Sequence, residues 1–278
     1  MNSTAMSERE FLFTDKNFAF IQKLAYEVTG IKLSEHKRNM VYGRLSRRLR
    51  RLGMSSFDSY CEVLGSRSGP EFTEFVNAIT TNLTSFFREN YHFDFLKQTL
   101  LPELARKKTD KRFRVWSAGC STGEEPYSIA MTIADTAERQ RWEAKILATD
   151  LDSNVLEKGR SGIYSIERIQ GLPEAIKKMG FHRRRNESDV VVKDRFRRLI
   201  TFKQLNLLND WPMKGPFDFI FCRNVVIYFD KDTQRILFDK MADLLVPNGY
   251  LFIGHSESLH RVSSRFLSKG RTIYQRIN

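Results

Sequence analysis

A short turn between a predicted strand and a predicted helix carries the residues whose types and spacing point most directly to ligand chemistry. The mostly apolar residues 114–118 form the strand, and Gly119 and Gly123 bracket the turn. Two glycines let the backbone bend tightly and come close to a ligand. The helix then starts with Glu124 and Glu125, whereas a phosphate would favour a helix start without carboxylates. The turn therefore indicates a cationic ligand such as a sulfonium amino acid, with a plain glycine turn as the alternative.

Three further features follow this turn in the order that a nucleotide-binding sheet needs. Asp150 ends the next predicted strand, where a carboxylate can accept both ribose hydroxyls of an adenosyl group. The alternative role of Asp150, a helix cap, is better filled by Asp152 or Ser153. A buried strand at 217–221 ends in polar residues, and a helix, a turn and a strand close the sheet around 245–254. In this order the features predict a methyltransferase that uses S-adenosylmethionine.

The elements that must position these residues alternate between strands and helices after residue 85. Such alternation predicts an α/β fold with a doubly wound, mostly parallel, Rossmann-like sheet. The stretch 162–198 is too long for a simple crossover, and Val190 to Val192 suggest a hairpin, so we expect an inserted antiparallel β subdomain there. The catalytic domain would span 86–278, with a connecting helix around 93–104. The predicted strands are 114–118, 145–149, 199–203, 217–221, 250–254 and 272–276, and the predicted helices lie near 126–139, 153–159 and 232–245.

Residues 1–85 have the apolar spacing of helices and predict a small all-helical domain. Its second helix should start near Ser34 and end at Gly53. Arginines on this helix occupy a different arc from the apolar residues, so one face packs and the other is cationic. The apolar residues are Val41, Leu45, Leu49 and Leu52, and the arginines are Arg44, Arg47, Arg50 and Arg51, with Arg48 at the margin.

The net charge of +13 indicates a polyanionic partner, which could be nucleic acid, an anionic membrane surface or an acidic protein. Two clusters hold much of it, at 44–51 and at 183–198, and solvated surface charge is the alternative for both. The three cysteines have no metal-ligand spacing and an odd count, so we expect buried free thiols, no metal site and no disulfide framework. The sequence shows neither a secretory signal nor a membrane span, which predicts a cytoplasmic protein without membrane insertion.

Four segments resemble those of bacterial chemotaxis receptor glutamate methyltransferases, the CheR type. The resemblance covers nearly the whole chain. The segments are NLTSFFRE at 82–89, SAGCSTGEEPY at 117–127, RSGIY at 160–164 and FCRNVVIYF at 221–229.

The resemblance implies a role for each matching residue. Arg88 and Tyr228 would lie beside the transferred methyl group, Glu125 near the methionyl part and Asp150 at the ribose. Close backbone approach at Gly119 would complete the pocket. The remaining cofactor residues would be Asn82, Thr84 and Arg88 from the segment between the domains, Asn206 and Leu207 beside the adenine, and Cys222, Arg223 and Asn224 on the pocket floor.

The acceptor implied by the resemblance is a receptor glutamate on a long helical coiled coil with acidic surface residues. We expect Arg44, Arg47, Arg50 and Arg51 to dock there, with Arg48 at the margin. Some family members hold a receptor tail with the inserted subdomain. The predicted hairpin turn 183–189 is compact and lacks glycine, which disfavours that role here.

Two other classes of function compete with this interpretation. A methyltransferase acting on RNA or a small molecule would also suit the net charge, but the cationic helix lacks interleaved aromatic residues for base stacking. A non-catalytic adaptor that senses the cofactor is disfavoured because Arg88 and Tyr228 are present. We therefore expect a monomer that acts on cytoplasmic receptor helices and not on nucleic acid.

Overall fold

The computed structural model describes residues 9–184 and 188–277, and the chain divides into two compact units between Thr81 and Asn82. The sequence predicts this boundary near residue 85. Asn82 and Thr84 therefore belong to the second unit, which carries the candidate site. The two units are described separately.

In its described part, residues 9–81, the first unit forms four α-helices, as the apolar spacing predicts. Thr14 caps the first helix and forms a capping box with Asn17, and Gly30 and Gly53 end the first and second helices in the left-handed conformation. A 3-10 turn, Glu35–Lys37, leads into the second helix. The helices are α1 Asp15–Thr29, α2 Arg38–Leu52, α3 Phe57–Gly65 and α4 Pro70–Ile79.

The apolar face of α2 is shorter than the sequence predicts. Val41, Leu45 and Leu49 are buried, but Leu52 is 44% exposed, so its predicted place in the core is wrong. A helical side chain leans toward the N-terminus and is covered by residues of the following turn. Leu52 is the last residue of α2, and no following helical turn covers it.

The second unit is built on a seven-stranded sheet in the order β6-β2-β1-β7-β8-β10-β9. Strands β6, β2, β1, β7 and β8 run parallel to one another, whereas β10 is antiparallel to both β8 and β9. This confirms the doubly wound, mostly parallel sheet. Its strands are β1 Arg112–Ala118, β2 Glu143–Asp150, β6 Ile200–Gln204, β7 Phe217–Cys222, β8 Leu245–Ile253, β9 Phe266–Ser268 and β10 Ile273–Arg276.

Both faces of the sheet are covered, because successive side chains of its strands enter two different apolar clusters. On β1, Val115 belongs to one cluster and Trp116 to the other, and on β7 the same holds for Phe221 and Cys222. Every residue of β7 is buried, which agrees with its apolar sequence, and the single charged residue, Asp218, pairs with Lys108 at 2.8 Å.

The helices of the second unit begin with a continuous helical stretch that contains a π-helical turn, Leu96–Leu100. The sequence predicts a single helix over 93–104. The structure extends it at both ends and places the π turn in its middle. The α-helices are α5 Tyr91–Phe95, α6 Leu101–Lys107, α7 Glu124–Arg139, α8 Ser153–Ser161, α9 Glu174–Gly180, α10 Asp194–Arg197 and α11 Lys231–Leu244.

The segment between α8 and β6 forms the predicted inserted antiparallel subdomain. Its strands β3 Ile163–Ser165, β4 Phe181–Arg183 and β5 Asp189–Val192 are arranged in the order β3-β5-β4. The pairing of β4 with β5 confirms the hairpin. The predicted turn 183–189 and the basic cluster at 183–198 both include residues 185–187, which lie outside the described residues. None of the described helices has the length and apolar character that crossing a membrane requires.

Candidate active site

The candidate site lies where β1, β2, β6 and β7 end. These strands are neighbours and parallel, so their carboxyl ends meet at one edge of the sheet. The sequence places its candidate ligand-binding residues directly after these strands. The fold therefore brings together, at one edge, groups that are far apart in sequence.

The turn after β1, residues 119–123, is held against β2 and packed against the loop after β7. The N–H groups of Gly119 and Cys120 both donate to the carbonyl of Thr149, at 2.8 and 2.9 Å. Gly119 has a φ of 75°, and a Cβ there would lie 2.3 Å from Cγ2 of Val225. Only glycine fits this position, which supports the close backbone approach predicted for Gly119.

Asp150 ends β2 with its carboxylate buried in the turn. Its Oδ2 accepts the N–H of Ser121 at 2.8 Å, and its Oδ1 accepts the N–H of Asp152 at 3.0 Å. Burial raises the pKa of the Asp150 carboxyl to about 6, although these N–H groups favour its ionised form. A carboxylate has about four lone-pair sites, so Asp150 can still accept ribose hydroxyls. The side chain of Asp152 caps α8, as the sequence predicts.

The two glutamates that begin α7 have different environments. Glu124 is fully buried, and its carboxylate pairs with Arg168 and accepts the hydroxyl of Thr122. The expectation that both glutamates face a cationic ligand is therefore wrong for Glu124, because the inserted subdomain supplies its counter-charge. Glu125 accepts the hydroxyl of Ser117 at 2.7 Å, and burial raises the pKa of its carboxyl. The Glu125 carboxylate, which also pairs with Arg223, has the charge that an amino acid ammonium group requires.

Arg223, directly after β7, is the centre of a buried charge network. Its guanidinium lies 3.2 Å from a carboxylate oxygen of Glu89 and 3.2 Å from one of Glu125, and it also donates to the carbonyl of Arg88. Burial alone would raise the pKa of Glu89. The charge of Arg223, with hydrogen bonds from His255 and Asn224, outweighs burial and lowers that pKa.

Two members of this region were not singled out as functional from the sequence. Glu89 lies at the end of a quoted motif and accepts the side-chain amide of Asn224 at 3.3 Å. Glu257 is buried after β8 and accepts the N–H of Asn224 at 2.9 Å and that of Ile227 at 3.2 Å. Burial raises the pKa of the Glu257 carboxyl. One signal for Glu257 was present in the sequence, because this polar residue follows closely after the predicted strand 250–254 of the same sheet.

The segment from Asn82 to Arg88 is tied to the same turn. The side-chain amide of Asn82 donates to Asp152 at 2.7 Å, and its carbonyl accepts the hydroxyl of Ser121 at 3.1 Å. Arg88 is half-buried and donates to the carbonyl of Leu83 at 2.7 Å. Its charge acts on Glu125 and favours the ionised form of that carboxyl, although burial dominates. Thr84 is half-buried in the same segment.

The remaining candidate residues lie after β6 and β7. The turn after β6 is fixed by hydrogen bonds from the Leu205 N–H to the Asp150 carbonyl, at 2.9 Å, and from the Leu208 N–H to the Asn206 side chain, at 3.0 Å. Leu207 is buried in that turn. Cys222 is fully buried at the end of β7, and burial raises the pKa of its thiol. Tyr228 is half-buried on the 3-10 turn Val226–Tyr228.

These groups fit S-adenosylmethionine. A buried carboxylate such as that of Asp150 suits a ribose diol, and one such as that of Glu125 suits an ammonium group. The glycine turn lets the backbone approach a ligand closely. Among the residues that the structure describes, no group of three or more His, Cys, Asp or Glu side chains is arranged to hold a metal ion.

The arginines of α2, considered within the first unit, have three kinds of surroundings. Arg44 donates to the last carbonyls of α4, including that of Thr80 at 2.7 Å. Arg48 is largely buried and pairs with Glu71 at 2.5 Å and with Glu74 at 2.9 Å, and Arg50 pairs with Glu10 at 2.9 Å on the surface. The side chains of Arg47 and Arg51 are exposed.

Known proteins match this chain over nearly all of its length. The family described as the all-alpha domain of CheR methyltransferases matches residues 16–80, and the SAM binding domain of CheR methyltransferases matches residues 82–274. Chemotaxis protein methyltransferase 2 of Pseudomonas aeruginosa is 44% identical, over 98% of this chain and 97% of that protein. The chemotaxis protein methyltransferase of Escherichia coli K12 is 45% identical, over 97% and 93%. The chain therefore belongs to the CheR methyltransferase family and is an S-adenosylmethionine-dependent enzyme.

Proposed function

We propose that this enzyme transfers the methyl group of S-adenosylmethionine to glutamate side chains of chemotaxis receptors and forms glutamate methyl esters. The observation that carries the choice of acceptor is the match to chemotaxis protein methyltransferases over nearly the whole chain. Arg88, half-buried in the segment 82–88 that is tied to the cofactor turn, supports this choice. The positive charge of Arg88 near the methyl group would attract an anionic nucleophile. A glutamate carboxylate is such a nucleophile.

The acceptor needs no general base. The reference pKa of a glutamate side chain is about 4.3, so the nucleophile is already ionised at neutral pH. The bound cofactor supplies a methyl group on a positively charged sulfur. The protein then has to hold the acceptor oxygen in line with that methyl group at about 3–3.5 Å, and fixing such geometry can contribute several kcal/mol.

Arg88 and Tyr228 are the residues we propose beside the reacting atoms. The guanidinium of Arg88 offers a fixed fork of donors that suits a carboxylate. It must bind the acceptor loosely, because the carboxylate loses charge in the transition state and a strong ground-state pair would raise the barrier. The hydrogen bond from Arg88 to the Leu83 carbonyl occupies one donor and holds the side chain in place. Tyr228 would orient or enclose the methyl group.

The cofactor contacts we propose also include Asn82, Thr84, Asn206, Leu207, Cys222, Arg223 and Asn224. Of these, Arg223 would contact the cofactor from the pocket floor, and its guanidinium also pairs with Glu89 and Glu125. Cys222 would form part of the apolar floor.

For docking on acidic receptor helices, the surroundings of the α2 arginines narrow the proposal to Arg47 and Arg51. Arg44 and Arg48 already hold groups of α4, and Arg50 shares its charge with Glu10. Arg47 uses its Nε in a hydrogen bond to the Gly43 carbonyl at 3.2 Å, and an exposed guanidinium of this kind still has donors for a carboxylate on a partner. The cytoplasmic part of the receptor is the substrate, so we place the reaction in the cytoplasm, with a monomeric enzyme and without nucleic acid or membrane insertion.

A filter assay with tritiated S-adenosylmethionine tests this function directly. Receptor cytoplasmic fragments and bulk RNA are offered as acceptors, and base-labile label in the receptor fragment is the expected result. A receptor fragment with its acceptor glutamates changed to alanine is the matched control and should stay unlabelled. Label in RNA alone would exclude the proposed acceptor, and label in neither would favour an adaptor.

A further inference from the structure

The inserted subdomain touches the cofactor-binding turn through Tyr164, in the motif RSGIY at 160–164. Tyr164 is buried on β3, and its hydroxyl donates to the carbonyl of Thr122 at 2.7 Å. Thr122 lies in the turn between Gly119 and Gly123. A residue of the insert therefore hydrogen-bonds to the backbone of the segment that must approach the cofactor.

Close packing leaves this contact little freedom. A Cβ at Gly123 would lie 2.9 Å from the hydroxyl oxygen of Tyr164 and 2.9 Å from Cα of Gly159. A Cβ at Gly159 would in turn lie 2.6 Å from Cε1 of Phe202. Glycines at both positions let α8, the turn and Tyr164 come together, so a displacement of Tyr164 would be transmitted to the turn.

A second residue of the insert acts on the same threonine. Arg168, on the 3-10 turn Ile166–Ile169, pairs with the fully buried carboxylate of Glu124. That carboxylate also accepts the hydroxyl of Thr122 at 2.6 Å. The insert thus reaches Thr122 in two ways, directly at its carbonyl through Tyr164 and indirectly at its side chain through Glu124.

The turn needs such support because its backbone is strained. Ser121 has a φ of 48°, in the left-handed region that side chains other than glycine disfavour. From the other side, the N–H of Ser121 donates to Oδ2 of Asp150 at 2.8 Å. Residues 121 and 122 are therefore held between Asp150 and the insert.

We propose that Tyr164 and Arg168 are positioning residues for cofactor binding, and that the inserted subdomain is a structural part of the cofactor pocket. They act through Thr122 and Ser121 on the carboxylate of Asp150, which would receive the ribose. Loss of either contact lets the turn relax, which weakens cofactor binding and leaves acceptor binding unchanged. The inference depends on S-adenosylmethionine binding and not on the identity of the methyl acceptor.

The test is isothermal titration calorimetry with S-adenosylhomocysteine on the full chain. Tyr164→Phe removes one hydroxyl and keeps the ring, and we expect the Kd to rise about three- to tenfold, as the loss of one buried hydrogen bond implies. Arg168→Gln is the second variant and should raise the Kd in the same direction. In methyl transfer, the KM for S-adenosylmethionine should rise while kcat at saturating cofactor and the KM for the acceptor stay at wild-type values.

The matched control is Tyr60→Phe in the first unit. Tyr60 is also fully buried, and its hydroxyl also donates one hydrogen bond, to Glu71 at 2.8 Å. Tyr60→Phe should lower the Tm about as much as Tyr164→Phe does, but it should leave the Kd for S-adenosylhomocysteine unchanged. The proposal is overturned if Tyr164→Phe and Arg168→Gln bind S-adenosylhomocysteine within twofold of the wild type, whatever their Tm.

Discussion

The carboxylate of Glu257 accepts the backbone N–H of Asn224 at 2.9 Å, so the end of β7 is fixed by a residue that follows β8. Asn224 has a φ of 58°, a conformation that must be held by its surroundings. The same carboxylate accepts the N–H of Ile227 at 3.2 Å. Glu257 therefore shapes the loop that leads to Tyr228.

Glu257→Gln should reduce kcat and also raise the Kd for the cofactor, because Asn224 is one of the proposed cofactor contacts. An amide has a single acceptor oxygen, and its NH2 group would face backbone N–H groups that need an acceptor. We expect a stability loss of about 1–3 kcal/mol, because a buried donor is left without a partner. Displacement of Tyr228 should lower kcat by up to about 100-fold, the usual result of a misplacement near 1 Å. Urea unfolding and steady-state kinetics measure the two effects.

The control for this variant is Glu103→Gln on α6, where the carboxylate pairs with Lys107 on the surface. It makes the same chemical change and should alter neither stability nor kcat, since exposed pairs contribute little. A kcat of Glu257→Gln equal to that of this control would show that the loop does not position a group used in the reaction.

Cofactor binding should weaken in mild acid because of Asp150. Burial raises the pKa of its carboxyl to about 6, so at pH 7 most of the free protein has the ionised form that accepts both ribose hydroxyls. Below pH 6 the carboxyl becomes protonated and loses part of its acceptor capacity. The Kd for S-adenosylhomocysteine should therefore rise about tenfold between pH 7 and pH 5, if only the ionised form binds.

Asp150→Asn provides the comparison for this pH dependence. Asparagine does not titrate, so the variant should bind weakly at both pH values and show a nearly flat profile. Calorimetry at pH 5, 6, 7 and 8 distinguishes the two proteins. If the wild type kept the same Kd across this range, Asp150 would not be the ribose acceptor.

Changes at Arg47 and Arg51 should affect the receptor and not the cofactor. We expect Arg47→Ala combined with Arg51→Ala to raise the KM for receptor fragments, more strongly at low salt because exposed charges are screened. The Kd for S-adenosylhomocysteine should stay unchanged. Calorimetry that showed loss of cofactor binding would contradict the placement of these arginines in a docking surface.

Arg44→Ala is the structural counterpart on the same helix. Arg44 donates to the carbonyls of Ala78, Ile79 and Thr80 at the end of α4, so its loss should destabilise the first unit. We expect about 1–2 kcal/mol, the scale of a charged group at a helix C-terminus in partly buried geometry. Thermal unfolding followed by circular dichroism measures this loss of stability.

The strands of the sheet could be predicted because each one is visible as a pattern within a short segment of the sequence. Strand β7 is apolar except for Asp218, and the glycine turn after β1 is an identifiable strand-to-helix connection. The short strand β9, Phe266–Ser268, was not predicted, since three residues give too little periodicity to recognise.

The partners of charged residues could not be predicted, because they come from distant segments. From the sequence, Arg48 lies at the margin of a cationic helix face, and only the structure shows that it pairs with Glu71 of α4. From the sequence, Glu124 is a candidate ligand group, and only the structure shows that it pairs with Arg168 of the inserted subdomain. Glu257 has no visible role until β8 is known to lie beside β7. Pattern and spacing predicted the elements, whereas the pairing of charges depended on the tertiary fold.

Substitutions at Gly119 and Val225 can distinguish two contributions to the stability of the cofactor turn, the steric fit and the backbone strain. Gly119→Ala would bring its Cβ to 2.3 Å from Cγ2 of Val225 and force alanine to a φ of 75°. We expect a loss of about 2–4 kcal/mol, from overpacking and from the left-handed conformation together. Val225→Ala removes Cγ2, and the nearest remaining side-chain carbon, Cβ of Val225, would lie at 3.5 Å. The double variant should therefore regain the steric part of the lost stability but not the strain. Urea unfolding of both single variants and the double variant measures the coupling. A double variant no more stable than Gly119→Ala would mean that the loop after β7 does not press on the turn.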